Sequence, residues 1–280
     1  MPTHLYDLAV ISARGPDSRK FLQGQLSQDV ITLSDSAIRL AGYHTPQGRL
    51  LAVLRLLGAG TDDVLLVLPR ELAAPIVVRL SKFVLRAKTV IRDESDRCEV
   101  LGYGEHAAGA VAWADRAVAI VPRDGTALPP DAAAMTAWRL ADIGAGLPQV
   151  YAATSEQFVA QMLNLDVVDG IAFDKGCYTG QEIVARTHYR GRVKRRMQRF
   201  ETRDSLPLAP GNRIRLSDGR AAQIVDAAAR ADGAQELLAV TTVPAGGSER
   251  GDANDEPANP TDQLRRIDAT PLPMPYSLAP

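Results

Sequence analysis

The sequence predicts a protein of mixed α and β structure ending in a small β-barrel, and three observations predict it. In the first two thirds, strand-like stretches alternate with segments of 3- and 4-residue apolar spacing. That part lacks both the regular βαβ order and the Gly-rich dinucleotide fingerprint of a doubly wound sheet. Beyond about Gly191 the texture changes to short alternating stretches separated by turn residues, the pattern of a small barrel.

Each element follows from local chemistry. Leu5 to Ser12 has strand character, and Gly15-Pro16-Asp17-Ser18 supplies a turn and a cap for a short helix through Phe21 and Leu22. Ile38 to Tyr43 and Leu50 to Leu57 form a hairpin around Thr45-Pro46-Gln47-Gly48. Val64 to Leu68 is a strand, after which Pro69-Arg70-Glu71 opens a helix with proline in its first turn. Leu72, Ile76, Val77, Leu80, Phe83 and Val84 mark the face of that helix that packs on the sheet. Strands recur at Lys88 to Arg92, Glu99 to Tyr103 and Ala117 to Val121, and a helix covers Asp131 to Ala141. Gly144, Gly146 and Pro148 break the pattern. Thr154 with Gln157 reads as a capping box for a helix carrying Phe158, Val159, Met162 and Leu163. The barrel strands are Arg192 to Glu201, Arg213 to Leu216, Ala221 to Asp226 and Leu237 to Val243, closed by the apolar positions of Leu264 to Leu278. Gly246 to Asp262, without large apolar residues, reads as a mobile loop.

At 280 residues, two or three packed units are expected. A net charge of −1 confines any basic surface to one region. Cys98 and Cys177 stand far apart with no C-x-x-C spacing, and His4, His44, His106 and His188 have no metal-ligand spacing, so no metal site is expected. Met1 to Asp7 has no basic segment followed by an apolar one, and no apolar run approaches a membrane span, so a cytoplasmic protein with no membrane contact is expected.

Lys175-Gly176-Cys177-Tyr178-Thr179-Gly180-Gln181-Glu182 is the most informative stretch. Thr179 and Glu182 have the spacing of a capping box ahead of Ile183 and Val184, which makes Thr179 the cap and places Cys177 just outside a helix N-terminus. Unpaired amides there, with Lys175 and Arg186 nearby in sequence, favour a thiolate, so a lowered thiol pKa is expected. The plainer alternative is a small buried apolar side chain between two turn glycines.

This octapeptide, continued by Ile183-Val184-Ala185-Arg186 and by Gly191, Lys194, Arg195 and Arg196, closely resembles the signature of the YgfZ family. Further similarity lies in Phe21 to Gln25 with Asp29-Val30, Pro46 to Arg49, Gly146 to Pro148, Ala152 to Phe158, Asn164-Leu165 and Pro275 to Leu278. The resemblance implies an α+β, ring-like, multi-part fold shared with the T protein of the glycine cleavage system, with a C-terminal β-barrel. The parts expected are 1–103, 104–191 with the signature, and 192–280. It also implies tetrahydrofolate as cofactor and a role supporting iron–sulfur cluster assembly or repair and tRNA modification, with iron–sulfur proteins or assembly factors as partners. Cys177 and Lys175 become candidate catalytic residues, and Tyr6, Trp138, Gln181, Glu182 and Arg186 candidate folate contacts. Tyr6 and Trp138 match the family's two folate-flanking aromatics, and planar rings stack on such faces. Relatives commonly carry a Glu-Ala-Gly step where this chain reads Gly144-Ala145-Gly146, so Gly144 offers no carboxylate to a pterin.

Arg186 to Arg199 holds seven basic residues and no acid. In an extended segment Arg190, Arg192, Lys194 and Arg196 share one side, a surface for an anionic ligand or RNA, or simply a charged edge strand. Tyr189 and Phe200 are the only interleaved aromatics for base stacking. Glu182 and Arg186, one turn apart, could form an ion pair. A Cys–His hydrolase would need His188 to reach Cys177 across about two helical turns. The leading expectation is thus a folate-binding accessory protein. A tetrahydrofolate-dependent one-carbon transferase comes second and an RNA-binding module third.

Overall fold

The structure, a computed structural model, describes residues 1–104, 107–123, 128–191, 193–243 and 264–278. The loop expected at 246–262 lies outside these residues, as do His106 and Arg192.

Five antiparallel strands make the first sheet: β2 (Leu8–Arg14), β3 (Arg39–His44), β4 (Leu50–Ala59), β5 (Asp63–Pro69) and β6 (Val90–Asp93), in the order β3-β4-β5-β2-β6. The β3–β4 hairpin turns where Pro46 and Gly48 predict it, with Gly48 at φ 75°. Nearly every residue of β4 is buried, so its apolar run does not alternate. Two helices accompany this sheet, α1 (Ser18–Gln23) and α2 (Arg70–Ser81). Helix α2 buries Leu72, Ala73, Ile76 and Leu80 as its spacing predicts, whereas Phe83 lies past its end and is 49% exposed.

Strands β1 (Thr3–His4), β7 (Cys98–Tyr103), β8 (Val111–Trp113) and β9 (Arg116–Pro122) form a second sheet in the order β1-β7-β9-β8. It continues across residue 103, where a part boundary is expected. Helix α3 (Ala132–Gly144) follows, capped by the Asp131 carboxylate, which accepts from the amides of Ala133 and Ala134 at 2.9 and 3.0 Å.

The helix expected through Phe158 to Leu163 is absent. In its place are two 3₁₀ turns, at Ala152–Thr154 and Ala160–Leu163. The backbone between them turns at 155–157, with Glu156 at φ 64°, and is bonded to β4: Leu50 N–H donates to Phe158 O, Glu156 N–H donates to Leu50 O, and Arg49 pairs with Val159. Pairing with a neighbouring strand thus overrides the local capping pattern.

The third sheet contains β10 (Arg195–Thr202), β11 (Arg213–Arg215), β12 (Ala221–Ala229), β13 (Gln235–Thr242), β14 (Arg265–Arg266) and β15 (Ala269–Leu272), in the order β14-β11-β12-β13-β10-β15. Its two edge strands, β14 and β15, are separated in the chain by only Ile267 and Asp268, so the sheet curls to bring its edges together. Phe200, Ile214, Ile224, Leu237 and Ile267 fill the curl. The outer side of the same sheet, including Met197, Val225, Leu238 and Val240, joins the large core formed by the first sheet and the segment 143–171.

Candidate functional site

The octapeptide serves first as a fastening point. Lys175 Nζ donates to the carbonyls of Gln23, Leu26 and Gln28 at 2.7, 2.6 and 2.9 Å, and Thr179 N–H donates to Gly24 O. Burial pulls the Lys175 ammonium down to about 8, and the three carbonyls and the charge of Asp29 oppose that pull. Two other sequence blocks meet the loop here. A Cβ on Gly180 would lie 2.6 Å from Thr45 O, and a Cβ on Gly48 2.7 Å from Ile183. Behind the loop His44 is fully buried, its ring 5.9 Å from Tyr178 and both its nitrogens without a partner.

The expected capping box does not form. Helix α4 (Gln181–Arg190) starts after Gly180, which occupies the left-handed region at φ 82° and is its N-cap without any side-chain cap. Close packing of Gly180 on Thr45 and His44 dictates that entry, a tertiary constraint that overrides the Thr179 signal. Cys177 therefore stands farther from the helix start than the spacing predicts, and it is exposed. Gln181 begins α4, and Glu182 and Arg186 are exposed on it; no ion pair joins these two among the described residues. The ring of His188 stacks on Phe173 with centroids 3.8 Å apart, and no contact with Cys177 occurs among the described residues. Arg190 is helical, not extended, so the expected basic alternation is lost. Arg196 pairs with Asp166 and Arg199 with Glu236, and Phe200 is buried, which leaves Tyr189 as the exposed aromatic of that region.

A second centre lies between α3, the start of β2 and β12. A cavity of about 600 Å³ and a smaller interior void of about 30 Å³ share four wall residues, Asp7, Pro69, Arg139 and Tyr151. The void is also walled by Trp113, Trp138, Asp142 and Asp226. Arg55 lies over the ring of Trp113 at 4.0 Å and Arg116 over that of Trp138 at 4.1 Å, while Gly102 abuts the Trp138 ring. Trp138 thus has a face occupied, and its buried Nε1 has no acceptor. Tyr6, half-buried, packs beside these residues against the same core cluster.

Three carboxylates wall the void, and a fourth, the exposed Glu71, lines the large cavity. Asp142 Oδ1 accepts from Trp113 Nε1 at 2.8 Å and from Arg116 Nη2 at 2.6 Å, and Oδ2 lies 3.8 Å from Arg55. Asp226 accepts from Arg139, from the Ala227 amide at 2.8 Å and from Tyr151 OH at 2.9 Å. Its complete burial outweighs these contacts and pushes its pKa up to about 6. Asp7 is likewise raised by burial, partly offset by the charge of Arg139, and its Oδ1 is buried without a partner.

Of the residues expected from the sequence, the fold brings Trp138 into this wall and Tyr6 next to it, whereas Lys175, Cys177, Gln181, Glu182 and Arg186 line neither space. Asp7, Arg139, Tyr151 and Asp226 were not singled out from the sequence. A signal existed for one of them: Asp226 is an acid inside the apolar run Ile224-Val225-Asp226-Ala227. A β-bulge between Ile224 and Asp226 shifts the strand's parity, so that Ile224 and Ala227 both face the barrel interior and Asp226 turns towards α3.

No family model matches the sequence. Curated proteins do. A tRNA-modifying protein YgfZ from Klebsiella pneumoniae is 32% identical, covering 84% of this chain and 83% of its own. Its counterpart from Edwardsiella ictaluri is 31% identical, covering 98% and 91%. Among solved structures, the glycine cleavage system aminomethyltransferase T from Bartonella henselae superimposes with a TM-score of 0.64 at 12% identity, covering 86% of this chain and 78% of the other. The fold is therefore α+β and T-protein-like. With this fold, and relatives more than 30% identical over most of its length, the chain belongs to the YgfZ family.

Proposed function

We propose that this protein binds folate and acts as an accessory to tRNA modification, supporting the iron–sulfur enzymes that carry it out, with Cys177 as its reactive centre. The observation that carries the folate part is a pair of buried groups without a partner within the protein: a carboxylate oxygen of Asp7, a residue that lines both the 600 Å³ cavity and the interior void, and the indole N–H of Trp138, a residue that lines the void. A cavity of this size is in the range of small-molecule sites, and such buried atoms are ordinarily satisfied by something. The residues fit a reduced folate. Asp7 offers an acceptor to the pterin and Trp138 a donor. When bound, tetrahydrofolate supplies a carrier for one-carbon units. Tyr151 and Arg139 hold the Asp226 carboxylate in place, and the burial of Asp226 keeps its proton affinity high enough to exchange protons near neutral pH.

The thiol role falls to Cys177 at the other centre, exposed on the octapeptide loop that Lys175 pins to the carbonyls of Gln23, Leu26 and Gln28. Calorimetric titration of tetrahydrofolate into the wild type and Trp138→Phe tests the cofactor claim: binding by the wild type, weakened in the variant, is expected. Absence of binding by the wild type refutes it. In cells, Cys177→Ala is expected to lower iron–sulfur-dependent tRNA modification, and full modification in that strain refutes the role given to the thiol.

A further inference from the structure

Building on the folate reading, we propose that Asp7 is the specificity-determining carboxylate that reads the N–H edge of the pterin ring. Elimination among the four carboxylates of the two spaces points to it: Glu71, in the large cavity, is exposed, and its Oε1 accepts from the Ala152 amide at 2.7 Å. Asp142 is committed to Trp113, Arg116 and Arg55, and Asp226 to Arg139, Tyr151 and the Ala227 amide. Asp7 keeps an oxygen that is buried and without a partner, and the residue lines both the void and the large cavity.

The backbone that carries Asp7 is held in place. Arg70 binds three consecutive carbonyls: its Nε donates to Tyr6 O at 2.9 Å, its amide N–H to Asp7 O at 2.8 Å and its Nη2 to Leu8 O at 3.0 Å. Strand β5 and helix α2 meet at Pro69-Arg70, so the clamp is built on rigid elements. A carboxylate fixed in this way selects a partner whose donors are also fixed, because little ordering remains to be done on binding. The 2-amino-4-oxo edge of a pterin presents a ring N–H beside an exocyclic amino group, two donors in the fork that a guanidinium offers a carboxylate. The aminobenzoate part of a folate has no such edge. Asp7 thereby recognises the pterin end and sets the ligand's direction in the cavity.

The test is calorimetry on the full chain with three ligands, tetrahydrofolate, 6-methyltetrahydropterin and p-aminobenzoylglutamate, titrated into the wild type, Asp7→Asn and Asp7→Glu. Asp7→Asn gives up a charge-assisted contact, so the first two ligands should weaken by about 10- to 100-fold. Affinity for p-aminobenzoylglutamate should stay unchanged. Asp7→Glu, which keeps the charge but displaces the carboxylate, should show the same pattern and guards against a folding defect in the first variant. Equal tetrahydrofolate affinity in the wild type and both variants overturns the assignment of Asp7 while the folate reading stands, as does equal weakening of all three ligands. If the wild type binds tetrahydrofolate not at all, the folate reading falls and takes this assignment with it.

Discussion

Below about pH 6, the buried His44 works against the fold, and His44→Leu removes that effect. His44 ends β3 beneath the octapeptide loop, fully buried, with neither ring nitrogen bonded. Burial alone lowers its pKa from 6.5 to about 4. The unfolded chain takes up this proton as the pH falls through 6.5, and the folded chain resists until about 4. In that window the unfolded state binds more protons, so stability rises with pH and is lost on acidification. For this shift the loss is about 2 kcal/mol at about pH 5 and about 3 kcal/mol at about pH 4. Urea unfolding of the wild type and His44→Leu, each at about pH 7 and about pH 5, measures it as a double difference. Carboxylates titrating in both proteins cancel. The stability gap between the two proteins should shift by about 2 kcal/mol in favour of the variant on acidification. A gap that stays constant within about 0.5 kcal/mol would refute the reasoning, since it would mean that the ring finds a partner or water on protonation.

Two further substitutions test the fastening of the octapeptide and the core beneath it. Lys175→Met leaves three carbonyls without their ammonium and should cost about 2 to 3 kcal/mol in urea unfolding, with faster hydrogen exchange at the Thr179 amide. Asp166→Ala strands the Arg196 guanidinium, whose side chain is only 9% exposed and bonded to Asp166 at 2.9 and 3.0 Å; a loss of about 3 to 5 kcal/mol is expected from chemical denaturation.

Elements whose signals are local were legible in the sequence. The β3–β4 hairpin carries its own Pro-Gly turn, α3 its own Asp131 cap, and the last third its short alternating strands. The octapeptide was also legible as a signature, and it pointed to the family. Illegible were features that depend on a partner distant in the chain. Phe158 and Val159 read as helical because nothing local reveals their pairing with Leu50 and Arg49. Thr179 reads as a cap because nothing local reveals that Thr45 and His44 crowd Gly180.

By itself the sequence determined the α+β class, the barrel at the end of the chain, the family and a cysteine just ahead of a helix start, because hydrophobic period, turn chemistry and rare residue types are written within a few positions. Only the tertiary structure decided that Lys175 is a clamp and that the interior void is walled by Asp7, Arg139, Tyr151 and Asp226. These four come from a loop before β2, from α3, from the turn after it and from a bulged strand of the barrel. Burial and ionic pairing, which give them their chemistry, exist only once those elements are packed together.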